Sequence, residues 1–130
     1  MNAQPDVFSL RRRGRQGYNY SVSKKTTGGM DNQAVRSCTL TIGRAEGHSV
    51  TTIEGLGTPE KPNRVQAAFI AEQAAQCGYC TNGMIMAAKA LLARTPKPTV
   101  DQIKHALDGN LCRCGTHTRI VRAIQRASQV

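Results

Sequence analysis

A chain of 130 residues with 39% hydrophobic content, five aromatic residues and no tryptophan is one domain by length, or two small ones sharing an interface. Its longest apolar run, Met84–Ala88, is far short of the ~18 residues of a membrane span and of the roughly 7–15 of a secretory core segment. The formal net charge of +10 raises nucleic acid as a partner, and the distribution of that charge argues against it.

Residues 1–30 hold Arg11, Arg12, Arg13, Arg15, Lys24 and Lys25 against Asp6 alone, so half of the excess charge lies in the first quarter of the chain. The segment is polar and aperiodic and reads as a disordered, solvated basic arm. Arg11-Arg12 is not a twin-arginine signal, because Gly14-Arg15-Gln16-Gly17 follows it where an apolar stretch would be needed. From Asp31 the character changes. Ser37–Ile42 and Ser49–Ile53 alternate small or polar with apolar residues and predict two strands, turned between Gly43 and Gly47. Two strands alone are marginal and need a third element to lean on. Gly55, Gly57, Pro59 and Pro62 mark a linker.

Beyond the linker the period becomes helical. A first helix is expected from about Asn63 to Gln76 and a second over Thr81–Arg94, closed by Thr95-Pro96-Lys97-Pro98. Thr99 and Gln102 form a capping box for a third, whose apolar face is Ile103, Ala106 and Leu107 and whose C′ residue is Gly109. A fourth runs from about His117 to Ser128 with Ile120, Val121, Ala123, Ile124 and Ala127 on one stripe. Met84, Ile85 and Met86 read as helix core. His48, His105 and His117 read as loop, helix-surface and helix-start residues rather than ligands.

The chemistry lies in the cysteines. Four of the five form two tight pairs, Cys77-Gly-Tyr-Cys80 and Cys112-Arg-Cys114, with 31 residues between the pairs. Four thiolates complete the shell of a zinc ion or of an iron–sulfur cluster. The one-residue spacing of the second pair departs from the two to four usual in zinc modules. An odd cysteine count with no signal peptide argues against a disulfide framework and for a reducing compartment or buried metal ligation. One pair falls between the first and second helices and the other between the third and fourth. A four-helix bundle therefore brings both loops to the same end. Arg113, between two of the thiols, either offsets negative charge, meets a partner or is simply solvated.

Val65-Gln-Ala-Ala-Phe69, Gln76-Cys-Gly-Tyr-Cys-Thr-Asn-Gly-Met84 and Gly109-Asn-Leu-Cys-Arg-Cys-Gly-Thr-His117 with Arg119-Ile120 resemble the iron–sulfur subunits of the xanthine oxidase family of molybdenum hydroxylases. They are most similar to the small subunits of the isoquinoline 1-oxidoreductase and bacterial aldehyde dehydrogenase type. The resemblance covers roughly residues 31–130. It implies an α+β chain: beyond the disordered basic segment over 1–30, which lies outside the match, a remnant of a ferredoxin-like (β-grasp) domain over 31–57 and a four-helix [2Fe–2S]-binding bundle over 58–130. It implies an electron-transfer subunit without catalysis of its own, passing electrons from a molybdopterin-type molybdenum cofactor in a large partner subunit to a downstream flavin subunit or cytochrome. Cys77, Cys80, Cys112 and Cys114 would be the cluster ligands. Gln76 and Cys114 would contact the molybdopterin across the subunit interface. Neither nucleic acid nor a membrane span is implied. The expected location is cytoplasmic, or periplasmic by co-export with a signal-bearing partner. The alternative is a zinc-binding basic module that binds nucleic acid or a protein.

The chain departs from the family upstream. A ferredoxin-like domain should supply C-x4-C-x2-C and a later fourth cysteine. Cys38 matches the fourth position, but residues 1–37 contain no cysteine. One thiolate cannot hold a cluster, so the second [2Fe–2S] cluster is expected to be absent and Cys38 to be unpaired. Residues 1–29 are expected to arise from a frameshift, a mis-assigned start or a gene remnant. Translation of the upstream DNA in the other two frames tests this.

Overall fold

The computed structural model describes residues 19–24, 33–36, 41–44 and 46–129. In chain order the elements are strands β1 (Asn19–Lys24), β2 (Gln33–Arg36) and β3 (His48–Thr51), then helices α1 (Arg64–Ala71), α2 (Thr81–Arg94), α3 (Val100–Leu107) and α4 (His117–Ala127). A short 3-10 turn, Ile42–Arg44, precedes β3.

Each helix packs against two others, α1 on α2 and α4, and α3 on α2 and α4, which closes a four-helix ring. Its interior is apolar. Val65, Phe69, Met84, Ile85, Leu91, Leu92, Ile103, Leu107, Ile120 and Ile124 are all buried. The apolar spacing read from the sequence is the cause, since residues three and four apart share a helix face. α2 is buried over most of its surface, including Met84, Ile85 and Met86, because β1 and β2 lie along its other side. Ile53 and Leu56 pack onto the core from the linker.

The sheet differs from the expected hairpin. Its order is β2-β1-β3, both pairings antiparallel, with Tyr20 opposite Val35 and Val22 opposite Val50. The central strand lies within the basic segment read as disordered. Asn19-Tyr-Ser-Val-Ser-Lys24 alternates like a strand, but its surroundings hide that short signal. Ile42, expected to end a strand, sits in the 3-10 turn. Ser37–Leu40, including Cys38, lie outside the described residues. The Arg36 guanidinium donates to the Gly109 carbonyl just past α3, tying the sheet to the bundle where a helix end is negative.

α1 and α3 both start on full capping boxes. The Thr99 amide donates to Gln102 Oε1 at 2.8 Å, and the Gln102 amide returns to Thr99 Oγ1 at 3.3 Å. The second box is at Asn63 and Gln66: the Asn63 amide donates to Gln66 Oε1 at 2.8 Å. Gly57 packs tightly against this box. A Cβ there would sit 2.7 Å from both Asn63 N and Lys61 O, and 2.8 Å from Gln66 Oε1. Gly57→Ala is therefore expected to cost about 1–3 kcal/mol of stability. Gly55→Ala, whose nearest neighbour would be 3.4 Å away, serves as the control in the same denaturant titration.

α1 stops at Ala71, five residues before the expected end. The Ala74 amide donates to Phe69 O at 2.9 Å and the Gln73 amide to Ile70 O at 3.1 Å, the paired bonds of a Schellman terminus. Its left-handed position is usually glycine. Here it is Gln73, with φ 48°. Arg119 donates to the Gln73 carbonyl at 3.4 Å, and Arg126 pairs with Glu72 at 3.1 Å, so α4 clasps the turn. Gln73→Gly should relieve the left-handed strain and stabilise the chain by about 0.5–1 kcal/mol, read as a raised thermal midpoint. An unchanged or lowered midpoint would contradict it. α3 ends without a left-handed residue. Gly109 follows the Asp108 cap but is not among the positive-φ glycines, and the Asn110 amide closes the end onto Leu107 O at 2.8 Å.

Candidate metal centre

α1 and α3 run towards the two cysteine loops, and α2 and α4 run away from them. Cys80 is the N-cap of α2, and Cys112 and Cys114 lie in the turn before Thr116, the N-cap of α4. The loops bend at Gly78 (φ 79°) and Gly115 (φ 76°), each one residue after a cysteine. A side chain at either φ would be strained, so glycine is what allows the backbone to curl there.

The four thiols meet as two pairs, each bridging the loops. Cys77 interacts with Cys114, and Cys80 interacts with Cys112. None is in a disulfide. The Cys80/Cys112 pair is partly buried against the bundle core, whereas Cys77 lies exposed. Among the described residues, no three His, Cys, Asp or Glu side chains gather round one point as a single ion would require. Two pairs of thiols suit a two-metal cluster, in which each metal takes two protein sulfurs.

Each pair holds a thiolate-favouring and a thiol-favouring member. The Cys112 thiol is lowered to about 6, first by the Thr116 hydroxyl (Sγ to Oγ1 3.4 Å) and then, against burial, by the amides of Thr116 and Cys114 and by the Cys80 thiol. Burial pushes Cys80 up to about 11, and its bond to Cys112 adds to this. In the outer pair the Tyr79 amide and then Cys114 lower Cys77. Cys114 accepts the Cys77 amide, which lowers it. Its shared bond with Cys77, burial and the neighbouring thiolates nevertheless hold it above the ordinary value. Amide and hydroxyl donors aimed at sulfur are what a cluster of negatively charged thiolates requires. The residues therefore fit a [2Fe–2S] cluster in donor type, pairing and hydrogen bonding.

The other sequence-predicted residues divide. Gln76 is exposed on the loop immediately before Cys77, at the thiol end. Arg113 is exposed. His105 pairs with Asp108 at 3.1 Å on the surface of α3. His117 lines a separate open cavity of about 520 Å³ with Leu107, Asn110 and Val121, to which none of the four cysteines contributes. Sequence reasoning missed Thr116 and Thr81. The only signal for them was their position beside a ligand pair, at the start of a helix.

A family model described as a [2Fe–2S] binding domain matches residues 52–125. A nicotinate dehydrogenase subunit from Pseudomonas putida is 57% identical over 100 residues, 77% of this chain and 64% of that protein. The alpha subunit of isoquinoline 1-oxidoreductase from Brevundimonas diminuta is 52% identical over 100 residues, 77% of this chain and 65% of that protein. The crystal structure of quinoline 2-oxidoreductase from Pseudomonas putida 86 superposes with a TM-score of 0.71 at 35% identity, covering 85% of this chain and 65% of that one. The chain thus spans less than two thirds of the length of these relatives. No described helix is long and apolar enough to cross a membrane. By its matched domain the chain belongs to the [2Fe–2S]-binding domain family, and over that domain it is similar to iron–sulfur subunits of the xanthine oxidase family of molybdenum hydroxylases.

Proposed function

We propose that this chain relays electrons from a molybdopterin cofactor in a large partner subunit, using one [2Fe–2S] cluster. The observation that carries the reading is the arrangement of four thiols as two loop-bridging pairs, Cys77/Cys114 and Cys80/Cys112. A [2Fe–2S] cluster supplies one-electron storage at a potential set by its hydrogen bonds and exposure. The chain's own work is to hold the ligands rigidly. The amides of Tyr79, Cys77, Cys114 and Thr116 donate to sulfur, and the bundle fixes the helix ends from which the loops spring. Cys77, Cys80, Cys112 and Cys114 are the proposed ligands.

The exposed end of the site is the proposed docking face. Gln76 and Cys114 there would meet the molybdopterin, and exposed Tyr79 and Leu111 give that end apolar area to bury against the large subunit. The acceptor would be a flavin subunit or a cytochrome. A single cluster follows from the cysteine inventory, since Cys38 alone remains. We place the protein in the reducing cytoplasm, or in the periplasm if a signal-bearing partner carries it. The one-residue spacing of Cys112 and Cys114 and the match to a [2Fe–2S] binding domain speak against the zinc-module alternative.

Mixing the iron-loaded chain with a large molybdopterin subunit, together with the substrate of that larger protein, tests the relay. Bleaching of the visible bands by one electron per chain is the expected result. An active, substrate-reduced large subunit that leaves the bands unbleached would refute it.

A further inference from the structure

The four helices begin in two different ways. α1 and α3, whose N-termini lie away from the thiols, carry capping boxes. α2 and α4, whose N-termini lie at the thiols, have no side-chain cap. The difference at α4 is not for want of a capping residue. Thr116 occupies the N-cap, and threonine there normally accepts a first-turn amide. Instead its hydroxyl is turned to Cys112 Sγ, at 3.4 Å. Thr116 is also the only buried polar residue among the described residues, at 6% exposure.

At α2 the first helical residue, Thr81, follows Cys80 directly. Its hydroxyl oxygen is buried and, among the described residues, is the one buried side-chain oxygen or nitrogen with no hydrogen-bond partner. Buried hydroxyls are rarely left so, because the lost water bond is not replaced. The Thr116 hydroxyl meets Cys112 of the inner pair, and Thr81 adjoins its other member, Cys80, in the chain. A thiolate or sulfide accepts and cannot donate, so in the loaded protein a hydroxyl that meets sulfur must be the donor.

We propose that Thr116 and Thr81 are positioning residues whose hydroxyls donate to sulfur on the Cys80/Cys112 side of the cluster and raise its reduction potential. The inference rests on the iron–sulfur reading above. Uptake of one electron adds one negative charge with no bond made or broken, and both protons stay on their hydroxyls. The added charge falls partly on the sulfurs. A donor to sulfur therefore stabilises the reduced state more than the oxidised one.

The test is a mediated redox titration of the iron-loaded full chain and its variants, followed by visible absorption and by the electron paramagnetic resonance of the reduced state. Thr116→Val keeps the shape and removes the donor. At fixed poise it is expected to lower the reduced-to-oxidised ratio about tenfold, a shift of ~59 mV for a one-electron couple. Thr81→Val should move it in the same direction. Thr116→Ser and Thr81→Ser keep a hydroxyl and should stay near the parent. Each threonine stands or falls by its own variants. A valine variant that lowers the potential, or cannot hold the cluster, supports the proposal when its serine counterpart behaves as the parent. A valine variant at the parent potential, or a serine variant displaced as far as the valine, overturns it. Both results leave the cluster in place in the parent. A parent chain without iron would instead overturn the iron–sulfur reading.

Discussion

Cys112→Ser is expected to strip the chain of its iron, from about two per chain to near none. Serine replaces a soft, polarisable sulfur with a hard hydroxyl that is protonated at neutral pH and is a poor ligand for iron. The position also sits at the centre of the hydrogen-bond network. Cys112 engages the Thr116 hydroxyl, the amides of Thr116 and Cys114, and the Cys80 thiol, so its loss disorganises both loops. Cys77, exposed and at the edge of the site, has fewer supports to lose. Cys77→Ser should therefore retain more iron than Cys112→Ser. Iron content of the purified variants, with Cys38→Ser as the control outside the paired thiols, checks the order. Full iron in Cys112→Ser would remove it from the ligand set.

The second large effect lies in the bundle. Ile120→Ala is expected to cost about 2–5 kcal/mol, a large share of the roughly 5–15 kcal/mol of an ordinary domain. Ile120 is fully buried on the stripe with Ala123, Ile124 and Ala127. Two alanines on that stripe bring the helices close and leave little bulk to collapse into the vacated space. One turn upstream is Thr116, so the loss should also loosen the Cys112 loop and speed iron release to a chelator. Arg122→Ala, on the exposed side of the same helix, should change stability by no more than about 0.5 kcal/mol. Thermal or denaturant unfolding of the three proteins checks both claims. Equal stability of Ile120→Ala and the parent would mean that α4 is not packed as described.

The helices were legible because their signals are local. Thr81–Arg94 runs between a cysteine loop and Thr95-Pro96, and the Thr99–Gln102 box announces α3 by composition alone. α1 reads too long in the sequence because its end depends on Gln73 taking a left-handed conformation that its side chain disfavours, and α4 supplies the contacts that hold it there. The strands were less legible. β1 lies in a polar, basic segment whose composition masks its alternation, and it is flanked by β2 and β3 instead of leaving those two to pair with each other. Strand pairing is a long-range choice made by packing on α2, which period-two alternation cannot reveal. At the site, the four cysteines and their meeting at one bundle end could be read from spacing and loop placement. Which thiol pairs with which could not, since that depends on how Gly78 and Gly115 bend the loops. Nor could the diversion of Thr116 from cap to sulfur donor, because a capping threonine looks the same in sequence whichever partner it takes.

The most direct test is the metal content of the purified full chain, measured as iron, acid-labile sulfide and zinc alongside the visible spectrum. Two iron and two sulfide per chain with broad charge-transfer bands are predicted. A colourless protein holding one zinc would contradict the cluster, and four iron per chain would contradict the claim that it carries only one.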